Sequence, residues 1–189
     1  MICHKSDVNS INITVEVLKK GGVVVIPTDT VYGFSGILGD TELKIRKIKG
    51  RDENKPFIQL IANPKDVYYY TNEKIDDKIL SIWPGPLTII VPQKEDETKT
   101  IALRCPADDW LRKVIDLAGF SIYSTSVNYS GKKILSDIYD IVKEFDKHVS
   151  LIVDDGDKRE SKASTIISVI NKEVKLVRQG ELNVDFLFV

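Results

Sequence analysis

Four aliphatic residues in a row, Val23-Val24-Val25-Ile26, follow the pair Gly21-Gly22 and give way to Pro27-Thr28-Asp29-Thr30-Val31-Tyr32-Gly33. An unbroken aliphatic run with no polar alternation predicts a strand buried on both faces. Pro27 has no amide hydrogen to give to a ladder, so the strand ends there. The hydroxyls and the carboxylate that follow stand just past a strand's C-terminal end, where open α/β sheets present their ligand sites. An ordinary polar connection has the same composition.

The rest of the chain alternates between the helical and the extended period. Ile11, Val15 and Leu18 predict a helix over 10–20, ended by Gly21-Gly22. Leu43, Ile45 and Ile48 predict a second over 41–49, capped by Asp40 or Thr41. Between them, Gly33, Gly36 and Gly39 read as a segment open to close backbone approach. A charged loop from Lys49 to Pro56 enters a strand over 57–61, and Asn63-Pro64 starts a helical turn. Tyr68, Tyr69 and Tyr70 have no interleaved cations and read as core and interface residues rather than a base-stacking platform. A short helix is expected over 74–82, then the rigid turn Trp83-Pro84-Gly85-Pro86 and a strand over 87–91. Strands over 100–105 and 120–123 flank a helix over 109–118 that Gly119 ends. A hydroxyl- and amide-rich turn, 124–131, follows, then a helix over 137–145, a strand over 149–153 and a hairpin of 166–170 with 174–177. The alternation predicts one twisted, mixed α/β sheet with helices around it.

Composition narrows the class. The chain has 189 residues, 42% hydrophobic and 29% charged, enough for the core of a single domain over 1–189. A net charge of -1 gives no global drive toward nucleic acid or membrane, so any basic surface must be local. Cys3 and Cys105 form no metal or disulfide pattern, and His4 and His148 stand alone, so no transition-metal site is expected. No signal peptide or membrane-spanning run is present, and a cytoplasmic protein is expected.

Polar turns recur at predicted strand ends: 28–32, 49–55, Arg104, 124–128, Ser164-Thr165 and Arg178. Brought to one rim, they would form a pocket with cations for phosphate and hydroxyls for a small polar substrate. No histidine lies near the strand-end serines Ser124, Ser126 or Ser164 in sequence, and neither G-x-x-x-x-G-K-[ST] nor G-x-G-x-x-G occurs, so a hydrolase triad and a P-loop are unsupported. The turn Asp154-Asp155-Gly156-Asp157 lacks the spacing of a calcium loop. What remains is chemistry by positioning and electrostatics on a phosphate-bearing substrate.

In this order, Val25-Ile26-Pro27-Thr28-Asp29-Thr30-Val31-Tyr32-Gly33, Lys49-x-Arg51 with Lys55-Pro56, Trp83-Pro84-Gly85-Pro86-Leu87-Thr88, Arg104-x-Pro106, Ser126-x-Asn128 and Ser164-Thr165 resemble the YrdC/Sua5/TsaC family, over about residues 21–180. The resemblance implies a YrdC-like twisted α/β sheet with a large, basic concave cavity, of the short TsaC type. It implies an L-threonylcarbamoyladenylate synthase, a nucleotidyltransferase that joins L-threonine, bicarbonate and ATP and releases pyrophosphate. Its product feeds t6A modification at position 37 of tRNA through downstream transfer proteins. By motif, Lys49 and Arg51 take catalytic roles. Thr30, Gln59, Arg104, Ser124 and Ser164 face L-threonine, with Arg104 pairing bidentately with its carboxylate. Arg51, Lys55, Thr100, Ser126, Asn128 and Arg178 face ATP. Mg²⁺ would accompany ATP through phosphate oxygens and water, without a protein-made metal site. Gln59 stands where long members often carry histidine, and Ile134 where many place a serine. The alternative that the resemblance allows is a double-stranded RNA- or tRNA-binding module without synthase activity.

Overall fold

The computed structural model describes residues 1–50, 56–158 and 161–188. Ten strands form one sheet: β1 Ile2–His4, β2 Val24–Ile26, β3 Gly33–Ile37, β4 Ile58–Leu60, β5 Leu87–Pro92, β6 Thr100–Arg104, β7 Ile122–Ser126, β8 Leu151–Asp154, β9 Thr165–Ile170 and β10 Glu173–Arg178. They lie in the order β1-β8-β2-β3-β7-β4-β6-β5-β9-β10. The pairs β1/β8, β2/β8, β4/β6 and β5/β9 are parallel and the others antiparallel, so the sheet is mixed, as the alternation predicted. Among the described residues five α-helices pack on it: α1 Ser10–Lys19, α2 Asp40–Lys49, α3 Asp77–Leu80, α4 Asp109–Ala118 and α5 Ile138–Phe145. None of the described helices is long and apolar enough to cross a membrane.

The pleat sends alternate residues to different cores. Val24 and Ile26 join Leu18 of α1, Leu111, Val114 and Ile115 of α4, and Leu60 and Ile122 on one face. Val25 joins Phe34, Ile45 of α2, and Ile141 and Phe145 of α5 on the other. The aliphatic run of β2 is therefore buried on both sides because each side has its own helix pair. A third cluster, with Leu87, Ile89, Leu103, Ile167 and Val169, fills the second face at the β5/β9 end beneath Val67, Ile79 of α3, Trp83 and Val184.

Several expectations change. The segment 33–37, read from its glycines as open, is a strand that pairs with both β2 and β7. Glycine is required there by crowding: a Cβ on Gly33 would meet the Ser124 hydroxyl at 2.7 Å, and one on Gly36 would meet Thr41 at 2.7 Å. The strand β7 extends through Ser126, so Ser124, Thr125 and Ser126 are strand residues and not part of a turn. The β1 strand, three residues at the sheet edge, carries too short a pattern to be read. Helix α3 is one turn, started by the Asp76 carboxylate accepting from Lys78 N–H at 2.8 Å. Of the tyrosine triplet, Tyr70 packs on the core while Tyr69 is 77% exposed.

Candidate functional site

On the face that α1 and α4 cover, the apolar side chains give way to small and polar ones where those helices stop. By strand register, Gly33 and Ser35 of β3, Ser124 and Ser126 of β7, Ile58 of β4 and Arg104 of β6 all fall on this face. A cavity of about 190 Å³ opens there, lined among others by Thr28, Thr30, Ile58, Arg104, Ser124, Ser126, Ile134, Ser164, Ile166 and Arg178. Small residues leave the space, and the absence of a Cβ at Gly33 keeps the Ser124 hydroxyl in place.

The Thr-Asp-Thr turn is self-bonded. The Thr28 hydroxyl donates to the Val31 carbonyl at 2.7 Å and accepts from Thr30 N–H at 3.1 Å, a local turn of the kind threonine favours. Tyr32 ties the far side of the turn to the end of β8. Its hydroxyl donates to the Gly156 carbonyl at 2.7 Å and accepts from Asp155 N–H at 2.8 Å. Burial, with the carboxylates of Asp154, Asp155 and Asp157 adding to it, pushes the Tyr32 phenol up to about 12. Asp155 in turn pairs with Lys5 at 3.1 Å and Lys158 at 3.0 Å, so this acidic turn serves as a brace. Among the described residues no group of three His, Cys, Asp or Glu could hold a metal.

Arg104 is the buried cation of the cavity, 4% exposed. Its Nε donates to the Gly85 carbonyl at 3.1 Å, Nη1 to the Thr30 hydroxyl at 2.8 Å and Nη2 to Asp29 Oδ1 at 2.6 Å. Asp29 Oδ2 accepts from Ala107 N–H at 3.0 Å. The carboxylate therefore clamps the guanidinium to the chain beyond β6. A guanidinium has five N–H donors, so two remain for a ligand in the cavity. Burial lowers the Arg104 pKa from the usual arginine range, and Asp29 works against that fall. Across the cavity Arg178 donates to the Ser164 carbonyl at 2.7 Å, and the Ser164 hydroxyl bonds Thr88 Oγ1 at 2.8 Å. Burial first and then the charge of Arg104 lower the Arg178 pKa, so the two cations feel one another. An anion between them relieves that repulsion.

The sequence-derived residues divide accordingly. Thr30, Arg104, Ser124, Ser126, Ser164 and Arg178 line one cavity. Lys49 is buried at 1% exposure beside it, but its ammonium turns to the Ser126 carbonyl and to the Asn128 carbonyl and Oδ1, both at 2.9 Å. Asn128 spans the turn, accepting from Ser126 Oγ at 2.8 Å and donating to the Tyr129 and Lys132 carbonyls. Neither Lys49 nor Asn128 is among the lining residues; both fix the end of β7 at Ser126. Two placements depart from the sequence expectation. Gln59 pairs in register with Leu103 and Tyr123, so the pleat puts it on the face opposite Ser124 and Arg104, where it accepts from the Ser121 hydroxyl at 3.2 Å. Its neighbour Ile58 takes the cavity position. Thr100 is exposed and begins β6 at the end opposite Arg104, paired with Pro92. Arg51 and Lys55 lie outside the described residues.

Asp29 and Thr28 were visible in the sequence as part of one turn, yet nothing in it assigned Asp29 to Arg104. Ile166 carried no motif signal, and Thr88 stood at the end of the Trp83–Thr88 motif with no role assigned to it. Cys105, next to Arg104, is fully buried and its Sγ donates to the Ala62 carbonyl at 3.4 Å. Burial pushes that thiol up to about 12, whereas Cys3 is only partly buried. A raised pKa means little thiolate, the reactive form. At pH 8 a thiol reagent is expected to label the native protein at Cys3 and to reach Cys105 only on unfolding; mass spectrometry of labelled peptides reads this directly.

Residues 16–180 match the model of the Sua5/YciO/YrdC family, described as telomere recombination. The threonylcarbamoyl-AMP synthase of Pyrococcus abyssi is 30% identical over 184 residues, covering 91% of this chain and 54% of that protein. A Methanocaldococcus jannaschii relative is 34% identical over 188 residues, covering 91% of this chain and 88% of its own. The crystal structure of Pyrococcus abyssi Sua5 complexed with L-threonine superposes with a TM-score of 0.85 at 28% identity, over 94% of this chain and 56% of that one. The chain thus spans little more than half of the Pyrococcus protein and most of the Methanocaldococcus one. With its fold, its motifs and its cavity in agreement, the chain belongs to the Sua5/YciO/YrdC family.

Proposed function

We propose that this chain is an L-threonylcarbamoyladenylate synthase, forming threonylcarbamoyl-AMP and pyrophosphate from L-threonine, bicarbonate and ATP for t6A modification of tRNA. The observation that carries the reading is the buried Arg104, clamped by Asp29 and Thr30 at the floor of a polar cavity, on a fold whose Pyrococcus relative was crystallised with L-threonine. A cavity of about 190 Å³ is below the range of roughly 300–1,000 Å³ for drug-sized ligands, which suits an amino acid and leaves the nucleotide to extend past its mouth.

In this reading the two unfilled N–H groups of Arg104 take the threonine carboxylate, and Thr30, Ser124 and Ser164 supply hydroxyl contacts. The threonine amine adds to bicarbonate, and water leaves as the carbamate forms. A carbamate oxygen then attacks the α-phosphorus of ATP while the bond to pyrophosphate breaks. Arg178 and Ser126 face the phosphates, joined by Arg51 and Lys55 from the charged loop. Lys49 and Asn128 act by holding the end of β7 at Ser126, and Arg51 remains the proposed catalytic cation. Mg²⁺ bound to ATP would supply charge neutralisation for the departing pyrophosphate. Phosphate oxygens and water would hold the ion.

Incubation with ATP, Mg²⁺ and bicarbonate is expected to release pyrophosphate only when L-threonine is added, with threonylcarbamoyl-AMP detected by mass spectrometry. Pyrophosphate release independent of threonine, or none at all from folded protein, would rule the activity out.

A further inference from the structure

A second hollow shares no lining residue with the cavity of this chemistry. It has a volume of about 550 Å³ and is walled by the α1–β2 connection at Gly21–Val23, by Lys44, Lys47 and Ile48 of α2, and by Tyr129, Lys147, His148 and Ser150. Three lysines and a histidine from two segments face it, and no carboxylate is among the lining residues. That imbalance is local, because the chain as a whole has 27 Lys and Arg against 28 Asp and Glu.

Helices α1, α2 and α5 all end near this hollow, and lysines in a last turn offset the partial negative charge of a helix C-terminus. Such offsetting accounts for Lys44, whose ammonium donates to the Gly21 carbonyl at 2.8 Å. It applies to Lys47 too, which is in the last turn of α2, but not to Lys147 and His148, which lie beyond the end of α5. Lys47, Lys147 and His148 are exposed and make no side-chain hydrogen bond or ion pair with any described residue. Surface lysines with nearby carboxylates pair readily, as Lys20 with Glu16 and Lys99 with Asp96 do here. Besides Gly21, Gly22 and Ser150, the remaining walls are Val23, Ile48 and the ring of Tyr129, which is 39% exposed. Tyr129 is held in place by Phe145, with ring centroids 5.2 Å apart. Its hydroxyl is hydrogen-bonded to the Glu144 carboxylate, which raises the phenol's pKa.

We infer that this hollow binds a phosphorylated nucleoside, with Lys47, Lys147 and His148 taking the phosphate and the Tyr129–Ile48 wall taking the base. Cations suit a phosphate, but cations alone do not explain the aromatic wall beside them; a nucleotide uses both. The hollow is also too large for an inorganic anion alone and falls within the range for organic ligands. The ligand is either a free nucleotide or a nucleotide unit of an RNA strand, since both present the same phosphate and ring.

Equilibrium dialysis with radiolabelled ATP, and separately with a 12-nucleotide single-stranded RNA, tests this on the intact chain. The double variant Lys47→Glu/Lys147→Glu is expected to weaken one binding event by at least about tenfold for one of the two probes. Tyr129→Ala is expected to weaken the same event about five- to hundredfold, the range for loss of one stacked base. Arg178→Ala should leave that event unchanged, which separates it from the cavity of the synthase reading. If ATP responds, the source is a free nucleotide; if only the RNA responds, it is a polymer. Binding of both probes that ignores the charge reversal overturns the inference. So does a response to the reversal that Tyr129→Ala does not share, because that would make the hollow a plain anion site. All three substituted side chains are exposed, and a thermal melt of each variant confirms that the fold is kept.

Discussion

Replacing Arg104 by glutamine is expected to lower stability by about 3–5 kcal/mol and to raise the threonine Kd at least about thirtyfold. The stability cost arises at Asp29. Its carboxylate is 14% exposed and lies 2.6 Å from Arg104 Nη2. Without the guanidinium it is a buried charge whose remaining contact is the Ala107 N–H. The binding loss has a separate cause, since glutamine offers two N–H donors where arginine offers five, and Gly85, Thr30 and Asp29 already claim three. Asp29→Asn is the sharper variant. It keeps the shape and the hydrogen bond to Ala107 or to Arg104 but removes the charge that fixes the guanidinium, at about 1–3 kcal/mol. If Asp29 acts through Arg104, adding Asp29→Asn to Arg104→Gln should recover stability relative to Arg104→Gln alone, because the uncompensated charge is gone. Urea unfolding gives the stabilities and calorimetric titration gives the threonine affinities. Strictly additive losses would show that the two residues act independently.

The same pair shows where sequence reading stops. The aliphatic run of β2 and its termination at Pro27 follow from side-chain chemistry alone, and the placement of Thr30 and Arg104 at one site follows from motif order. The partnership of Asp29 with Arg104 is a contact between positions 75 residues apart, which no local pattern encodes. Gln59 shows a subtler limit. A strand over 57–61 was evident, but a shift of one residue exchanges the faces, and only pairing with Leu103 and Tyr123 shows that Ile58, not Gln59, meets the cavity. Glycines misled in the other direction. Gly33 and Gly36 read as backbone freedom, whereas they are strand residues emptied of side chain because Ser124 and Thr41 occupy the space. Thr100 shares a strand with Arg104, but β6 rises through about 13 Å between them, so a motif on one strand did not bring both ends to one site.

Gly180→Ala is expected to destabilise the protein by about 3 kcal/mol, with loss of the Ser164 side of the cavity. A Cβ at this position would fall 2.5 Å from the carbonyl carbon and oxygen of Ser164 and would also clash with the Ala163 carbonyl oxygen. These are backbone atoms, so no rotamer change relieves the overlap. Nor is that backbone free to retreat. Thr165 N–H donates to the Pro86 carbonyl at 3.0 Å, and Glu181 N–H to the Ala163 carbonyl at 2.9 Å. The Thr165 hydroxyl accepts from Gly180 N–H at 3.0 Å and Leu182 N–H at 3.1 Å while donating to the Leu182 carbonyl. Moving 163–165 aside therefore breaks this network together with the bonds from Arg178 and Thr88 to Ser164, which form one wall of the cavity. Gly119→Ala is the matched control. Gly119 ends α4 at φ +83 with nothing near its missing Cβ, so alanine there costs only the left-handed backbone, about 1 kcal/mol. Urea midpoints and threonine affinity measured on both variants should separate them. Equal destabilisation, or a Gly180→Ala protein that keeps wild-type threonine affinity, would mean that the close approach of 180 to 163–165 does not hold the site together.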